Sequence, residues 1–410
     1  MSKFKKTDNY LISKSSDAIT IGDKIKTFLD ASEIIENCAP CWNSVQRVWV
    51  ISRYRDACFL LRHPAVGVAE INPGLERLEL RTGKKFLHLK NIIKGTPLFH
   101  NPPQHTHSKA FFKQAIASYS RIITPEVVEE IVTGLLNPIE NQQEFDLIES
   151  VCDSLPNLLM ARVLDLDPAD IIMFKKAFGR INEAWLPSIP LRLYSEIEEV
   201  AEKVEMFLLE KIRNGYMSKE NGIFGSGFLS ASGYSESDLA ALLFFLVGAG
   251  TENQGGLLGN ALLILLSSQE LAATLRRSPE LINNFVEESI RLLGPVRRLS
   301  LRLALEDIKI DQVTLTKNAR ILFDLESIHR DPSAFDEPEQ FDLSRKGPTH
   351  LGFGTGAHAC LGASIARYQA RILVGMILNH FQLELNCSQV EWKPYPDFRI
   401  LSSLPVKMQG

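Results

Sequence analysis

The sequence predicts a mainly α-helical protein with a small β region. Three observations carry this. Apolar residues recur at helical spacing over most of residues 118–293 and again from Leu361 to His380. Strand-like alternation is confined to short runs, chiefly between Leu299 and Leu325. No Pro/Gly/Ser linker, repeat or low-complexity block divides the 410 residues. Residues 1–410 are therefore expected to form one large domain, with 1–40 as a loosely ordered lead-in.

The elements follow in order. One helical stretch is expected near Ile21–Ile35. Gln46–Ser52 alternates like a strand, and Tyr54–Arg62 reads as a short helix stopped by His63-Pro64. Residues 65–100 have weak periodicity and scattered glycines, and are expected to be a long irregular loop. Asn101-Pro-Pro-Gln-His105-Thr-His-Ser-Lys109 starts a helix, because prolines suit a first turn. Further helices are expected at Thr124–Leu136, Ser150–Leu164, Pro168–Trp185 and Ser195–Arg213, with Pro187 and Pro190 breaking the run. Gly222–Gly233 is a Gly/Ser-rich loop. Ser235-Glu-Ser-Asp238 is an N-cap with an acid three residues on, opening a helix to about Ser268. Leu239–Leu266 is apolar enough to span a membrane. However, Thr251-Glu-Asn-Gln254 puts an acid and two amides at its centre, where lipid penalises them. A buried central helix is the expectation. Pro279–Leu293 is amphipathic. Short strands follow at Leu299–Leu305, Ile308–Ile310, Val313–Leu315 and Arg320–Leu325, and after the last helix at Phe381–Leu385 and Phe398–Val406.

Composition narrows the function classes. The chain is 45% hydrophobic and 23% charged, with ample apolar material for a large core. A net charge of −4 gives no support for a nucleic-acid partner. Six cysteines in this length do not make a disulfide framework. Cys38-Ala-Pro-Cys41 has redox-motif spacing but lacks a βαβ context, and reads as incidental. Met1–Asp8 is polar and basic, without an apolar signal core, so a cytoplasmic location and no membrane partner are expected.

The chemistry concentrates in Phe353-Gly-Thr-Gly-Ala-His-Ala-Cys360-Leu-Gly362. Gly354 and Gly356 allow positive-φ turns and a close backbone approach to something flat. Cys360 precedes a helix start, where free N–H groups and the dipole favour a thiolate. Such a sulfur suits a nucleophile or a metal ligand. His358 lies two residues away, and nothing else nearby completes a nucleophilic machine. In the central helix, Gly248, Gly250, Gly255, Gly256 and Gly259 each cost ~1 kcal/mol against alanine. Something bulky is therefore expected close to that helix.

The Cys360 segment closely resembles the haem-binding loop of the cytochrome P450 family, through Phe353, Gly354, His358, Cys360 and Gly362. In that family the cysteine thiolate is the proximal ligand of haem b iron and pushes electron density towards O–O cleavage. Three further matches stand in order. Pro102-Pro103-x-His105-Thr106 resembles a segment whose histidine and arginine bind haem propionates; Lys109 stands at the arginine position and keeps only the charge. Ala249-Gly250-Thr251-Glu252-Asn253 resembles the segment over the distal haem face. The acid is retained as Glu252, with an implied part in proton delivery. Asn253 replaces the usual threonine, offering a donor and an acceptor but no hydroxyl proton. Glu288-Ser-Ile-Arg291 resembles a buried structural Glu-x-x-Arg pair. Arg302 falls where the family places another propionate-binding arginine.

The resemblance implies haem held between the Glu252 helix and the Cys360 loop, with O2 activation and oxygen insertion into an apolar or amphipathic molecule. Hydroxylation or epoxidation in specialised-metabolite biosynthesis is the expected activity. The alternatives are an atypical oxidase of the same fold (ring closure, coupling or desaturation) and a haem-binding protein without turnover. Val296, Arg297, Leu299 and Leu401 are expected as pocket walls, with Arg297 able to meet an anionic substrate. Electrons are expected from a ferredoxin and its reductase, docking on a basic face of Lys109, Lys113, Arg367 and Arg371. A carrier protein presenting substrate fits the same class. A monomer is expected.

Overall fold

A computed structural model describes residues 39–70, 72–185, 189–214 and 233–408. The helix expected near Ile21–Ile35, and nearly all of the Gly/Ser-rich loop, lie outside them. The described residues are mainly helical around a small sheet region, which is the predicted class. Helices α1 (Tyr54–Arg62), α2 (Asn72–Thr82), α3 (Leu87–Ile93), α4 (Gln104–Ile122), α5 (Pro125–Leu136), α6 (Ser154–Leu164), α7 (Pro168–Asn182) and α8 (Leu191–Arg213) lead to the central α9 (Glu236–Ser267). After it come α10 (Gln269–Arg277), α11 (Ile282–Leu293), the short α12 (Leu325–Ile328) and α13 (Ala363–His380).

Helix α9 is the axis of the fold. A capping box starts it: the Asp238 N–H donates to Ser235 Oγ at 3.2 Å, and the Ser235 N–H donates to the Asp238 carboxylate at 3.2 Å. Between Leu239 and Leu265 nearly every side chain is buried, because neighbouring helices cover it on most sides. Among the described residues, no single helix is long and apolar enough to cross a membrane.

A five-stranded sheet has the order β1-β2-β8-β5-β3, built from Cys41–Asn43, Val48–Ile51, Arg320–Phe323, Arg302–Ala304 and Val66–Val68. Strands β2 and β8 run parallel and the other neighbours antiparallel. This register seats Arg302 opposite both Val68 and Ile321. β4 (Glu144–Asp146) and β9 (Leu383–Leu385) flank β10 (Pro405–Met408), and β6 (Ile308–Ile310) pairs with β7 (Val313–Leu315).

Two expectations need correction. Residues 65–100 are not one irregular loop: they hold β3, α2 and α3, whose exposed polar faces had blurred the apolar period. The strand expected over Phe398–Val406 is confined to β10, preceded by single bridges at Phe398 and Leu401. Cys41 is disulfide-bonded, and Cys38, the other half of its spacing motif, lies outside the described residues.

The central glycines do have close neighbours, as expected. A Cβ on Gly248 would stand 2.1 Å from the Phe178 ring, and one on Gly259 would stand 2.5 Å from Ile148. A Cβ on Gly255 would stand 2.7 Å from the Asp153 carboxylate. The bulky neighbours are side chains of the chain itself.

Candidate active site

The site lies between α9 and the loop before α13. Among residues 239–265, only Phe245, Ala249, Gly250, Glu252 and Asn253 are not buried by protein. Phe245, Ala249 and Asn253 are spaced i, i+4, i+8, so they form one face of the helix. Gln254 Nε2 donates to the Ala366 carbonyl at 3.2 Å, tying this part of α9 to α13. Gly250 is held close to Met160.

The cysteine loop is folded by its own backbone. The Cys360 N–H donates to the Phe353 carbonyl at 2.8 Å, and the Gly354 N–H donates to the Leu351 carbonyl at 2.8 Å. Gly354 and Gly356 take φ of 64° and 75°, a region that glycine enters without strain. The close approach expected at Gly356 is to the Leu61 carbonyl of α1, 2.3 Å from where a Cβ would sit. It is not an approach to a flat group. Burial pushes the Cys360 thiol upward, while the N–H groups of Gly362 and Ala363 and the Arg367 charge favour its anion. The thiolate bias of the helix start is present but outweighed by burial. A cation on the sulfur would supply the remainder.

Three basic groups face this loop and its His358. His105 is buried on α4, and its ring centroid lies 4.1 Å from that of His358. Lys109 Nζ donates to the Ala357 carbonyl. Arg302 is only 5% exposed and donates to Ser300 Oγ at 2.6 Å and to its carbonyl at 3.0 Å. No carboxylate among the described residues pairs with it. Burial lowers Arg302 to about 10, and burial with Arg302, His105 and Lys109 lowers His358 to about 3. Buried basic groups with no acid beside them are held away from their charged forms, and an anion joining them would reverse this.

On the other side, Thr251 Oγ1 back-bonds to the Val247 carbonyl at 2.9 Å and is fully buried, so its hydroxyl is committed. Asn253 is half-buried on the uncovered face. Glu252 is pushed upward by burial, opposed by Lys393 and Lys175 and by a hydrogen bond with Tyr395. Lys175 and Lys393 converge on Asp153 at 2.8 and 3.7 Å. Tyr395, Asp153, Lys175 and Lys393 were not foreseen; no local pattern joins positions so far apart in sequence.

Two expected pocket walls are corrected. Arg297 Nε donates to Glu326 at 2.8 Å, and Arg399 reaches the same carboxylate. The guanidinium of Arg297 is therefore committed to a structural acid and not directed to a substrate. Leu401 is fully buried beside Gly259, beyond the uncovered face, while Ile400 packs on Gly256. Val296 and Leu299 are half-buried.

Supporting contacts hold the approach to the loop. Glu288 and Arg291 are 4% and 3% exposed and paired twice, at 2.8 and 2.7 Å. Arg291 also donates to the carbonyls of His329, Pro338 and Gln340 at 2.8, 2.7 and 2.9 Å. His329 had no derivable role in the sequence. Here its Nε2 accepts the Leu351 N–H at 2.8 Å, just before the cysteine loop. Burial holds His329 well below its ordinary 6.5. Between that low folded value and about 6.5, only the unfolded chain takes the proton, so stability falls as pH drops through this window. His329→Asn is expected to reduce the loss in urea midpoint between pH 7 and 5. An unchanged slope would refute the assignment.

Comparison with known proteins gives the family. The family model for cytochrome P450 matches residues 79–409. Cytochrome P450 CYP107DY1 of Priestia megaterium is 29% identical over 374 residues, covering 87% of this chain and 89% of its own. The polyketide biosynthesis cytochrome P450 PksS of Bacillus subtilis is 26% identical over 376 residues, covering 88% and 89%. The structure of P450BioI in complex with a hexadec-9Z-enoic acid-ligated acyl carrier protein superposes with a TM-score of 0.76 at 24% identity, covering 94% and 97%. Fold and site together define a haem-thiolate oxygenase. The chain belongs to the cytochrome P450 family and is a P450 monooxygenase. Its cofactor is haem with a cysteine-ligated iron. The residues present fit that group: one cysteine sulfur, and a basic cluster whose missing acid the two propionates would supply.

Proposed function

We propose that this monooxygenase hydroxylates or epoxidises a small apolar or amphipathic molecule of specialised metabolism. The observation that carries the reading is the acid-free basic cluster of His105, Lys109, Arg302 and His358 beside Cys360. In this reading those four groups hold the propionates, Phe353, Gly354 and Gly362 shape the loop, and Cys360 supplies the thiolate. Ala249 and Gly250 form the facing wall on α9. Bound haem supplies the reductive activation of O2 and the transfer of one oxygen atom.

The chain's own residues position and move protons. Asn253 presents a carboxamide on the uncovered face of α9, where it orients water or an oxygen function of the substrate. Glu252, raised by burial and hydrogen-bonded to Tyr395, is placed to pass protons between the site and the C-terminal segment. Val296 and Leu299 supply apolar wall. The polyketide role named for the Bacillus relative supports specialised metabolism. The acyl carrier protein bound to P450BioI supports a carrier-presented substrate as one delivery route. Electrons come from a ferredoxin and its reductase. Within the expected docking face, Lys113 is exposed and Arg371 donates to Asn283 at 2.9 Å, whereas Lys109 and Arg367 are already engaged. A second reading, oxidation without oxygen insertion, is favoured by the missing hydroxyl at Asn253, and product analysis separates the two.

The test is the ferrous–carbon monoxide spectrum. The protein is expected to show the thiolate-ligated Soret position, and Cys360→Ser to lose it while keeping the far-ultraviolet circular dichroism of the parent. Retention of the thiolate band in Cys360→Ser would overturn the ligand assignment.

A further inference from the structure

We propose that Arg367, Glu287 and His350 form a charge-compensated clamp that positions Phe353 and sets the electrostatic field at the Cys360 sulfur. None of the three touches the sulfur; they are positioning residues. Arg367 lies on α13, seven residues beyond Cys360. Its guanidinium forks onto Glu287, with Nε to Oε1 at 2.6 Å and Nη2 to Oε2 at 2.9 Å. The same guanidinium sits 4.5 Å from the centre of the Phe353 ring. Phe353 in turn accepts the Cys360 N–H through its carbonyl.

His350 closes the set from the other side. Its Nδ1 accepts the Gly352 N–H at 3.1 Å, so the ring proton is on Nε2, which donates to Glu287 at 3.1 Å. The His350 ring centroid lies 5.9 Å from that of Phe353. Glu287 thus receives three donors and stands beside Glu288 on α11. Two adjacent carboxylates fix two consecutive stretches: Glu288 the segment before the loop, Glu287 the loop itself.

The electrostatics follow from the pairing. The Arg367 charge favours the anion at Cys360, and the Glu287 carboxylate paired to it opposes that charge. A cation left alone here would stabilise the reduced, more negative iron–thiolate unit; a carboxylate left alone would do the opposite. Arg367 is thereby removed from the docking face to which its sequence position assigned it.

The inference rests on Cys360 holding the iron, which the parent's carbon monoxide spectrum reads separately. The test is spectroelectrochemical titration of the haem-loaded protein. Glu287→Gln is expected to raise the ratio of reduced to oxidised protein at a fixed poise by roughly threefold or more, since half-exposed charges at this range remain partly screened. Arg367→Gln is expected to lower it by a similar factor. The double variant is expected to return towards the parent. Shifts of the same sign, or none, would reduce the set to a mechanical clamp and overturn the inference. If Arg367→Gln does not retain haem, Arg367→Lys keeps the charge without the fork. A ratio equal to the parent's then supports the field, and a shift as large as that of Glu287→Gln overturns it.

Discussion

Glu288→Ala is expected to destabilise the protein by about 3–5 kcal/mol, the range for breaking a buried ion pair from one side. The magnitude comes from what is left behind. Arg291 is 3% exposed, and without Glu288 its charge keeps backbone carbonyls and the Phe335 ring at 5.5 Å but no anion. The loss spreads further, because Glu288 also accepts from Arg345 Nε at 2.9 Å and from the Asp342 N–H at 3.1 Å. Arg291→Ala is expected to cost somewhat less, since it strands three carbonyls but leaves Glu288 paired with Arg345 and the Asp342 N–H. The two changes are not expected to add, because each breaks the same pair. Urea unfolding of the haem-loaded single and double variants measures this. A double-variant loss equal to the sum of the singles would show that the pair is not the unit of stability.

The second large effect is on turnover. Glu252→Gln is expected to lower product formation by about 10²-fold or more, the scale for removing a positioned proton-transfer group. Oxygen consumption is expected to fall much less, because the substitution preserves shape and leaves Cys360 and the basic cluster untouched. Tyr395→Phe is expected to give a smaller loss of the same kind, as it removes only the hydroxyl that Glu252 meets. The comparison to make is product formed per oxygen consumed. An unchanged ratio in Glu252→Gln would remove the acid from proton delivery and leave Asn253 and substrate as the relay.

The sequence determined the elements whose cause is local. The capping box at Ser235, the apolar period of α9 and α13, and the glycine-punctuated loop at Cys360 each act over a few residues. They can therefore be read from a few residues. The family pattern likewise named His105, Arg302, Glu288 and Arg291 by position. Tertiary structure decided the partners. Arg297 meets Glu326 across 29 positions, Arg367 meets Glu287 across 80, and Glu252 meets Tyr395 from another segment. Whether an arginine faces substrate, redox partner or buried acid is set by which segment packs beside it, and no local spacing encodes that. The α9 glycines and His329 follow the same rule. Their neighbours Phe178, Ile148 and Leu351 arrive by packing, and only the packed chain shows that close contact and a backbone anchor were the reasons for those residues.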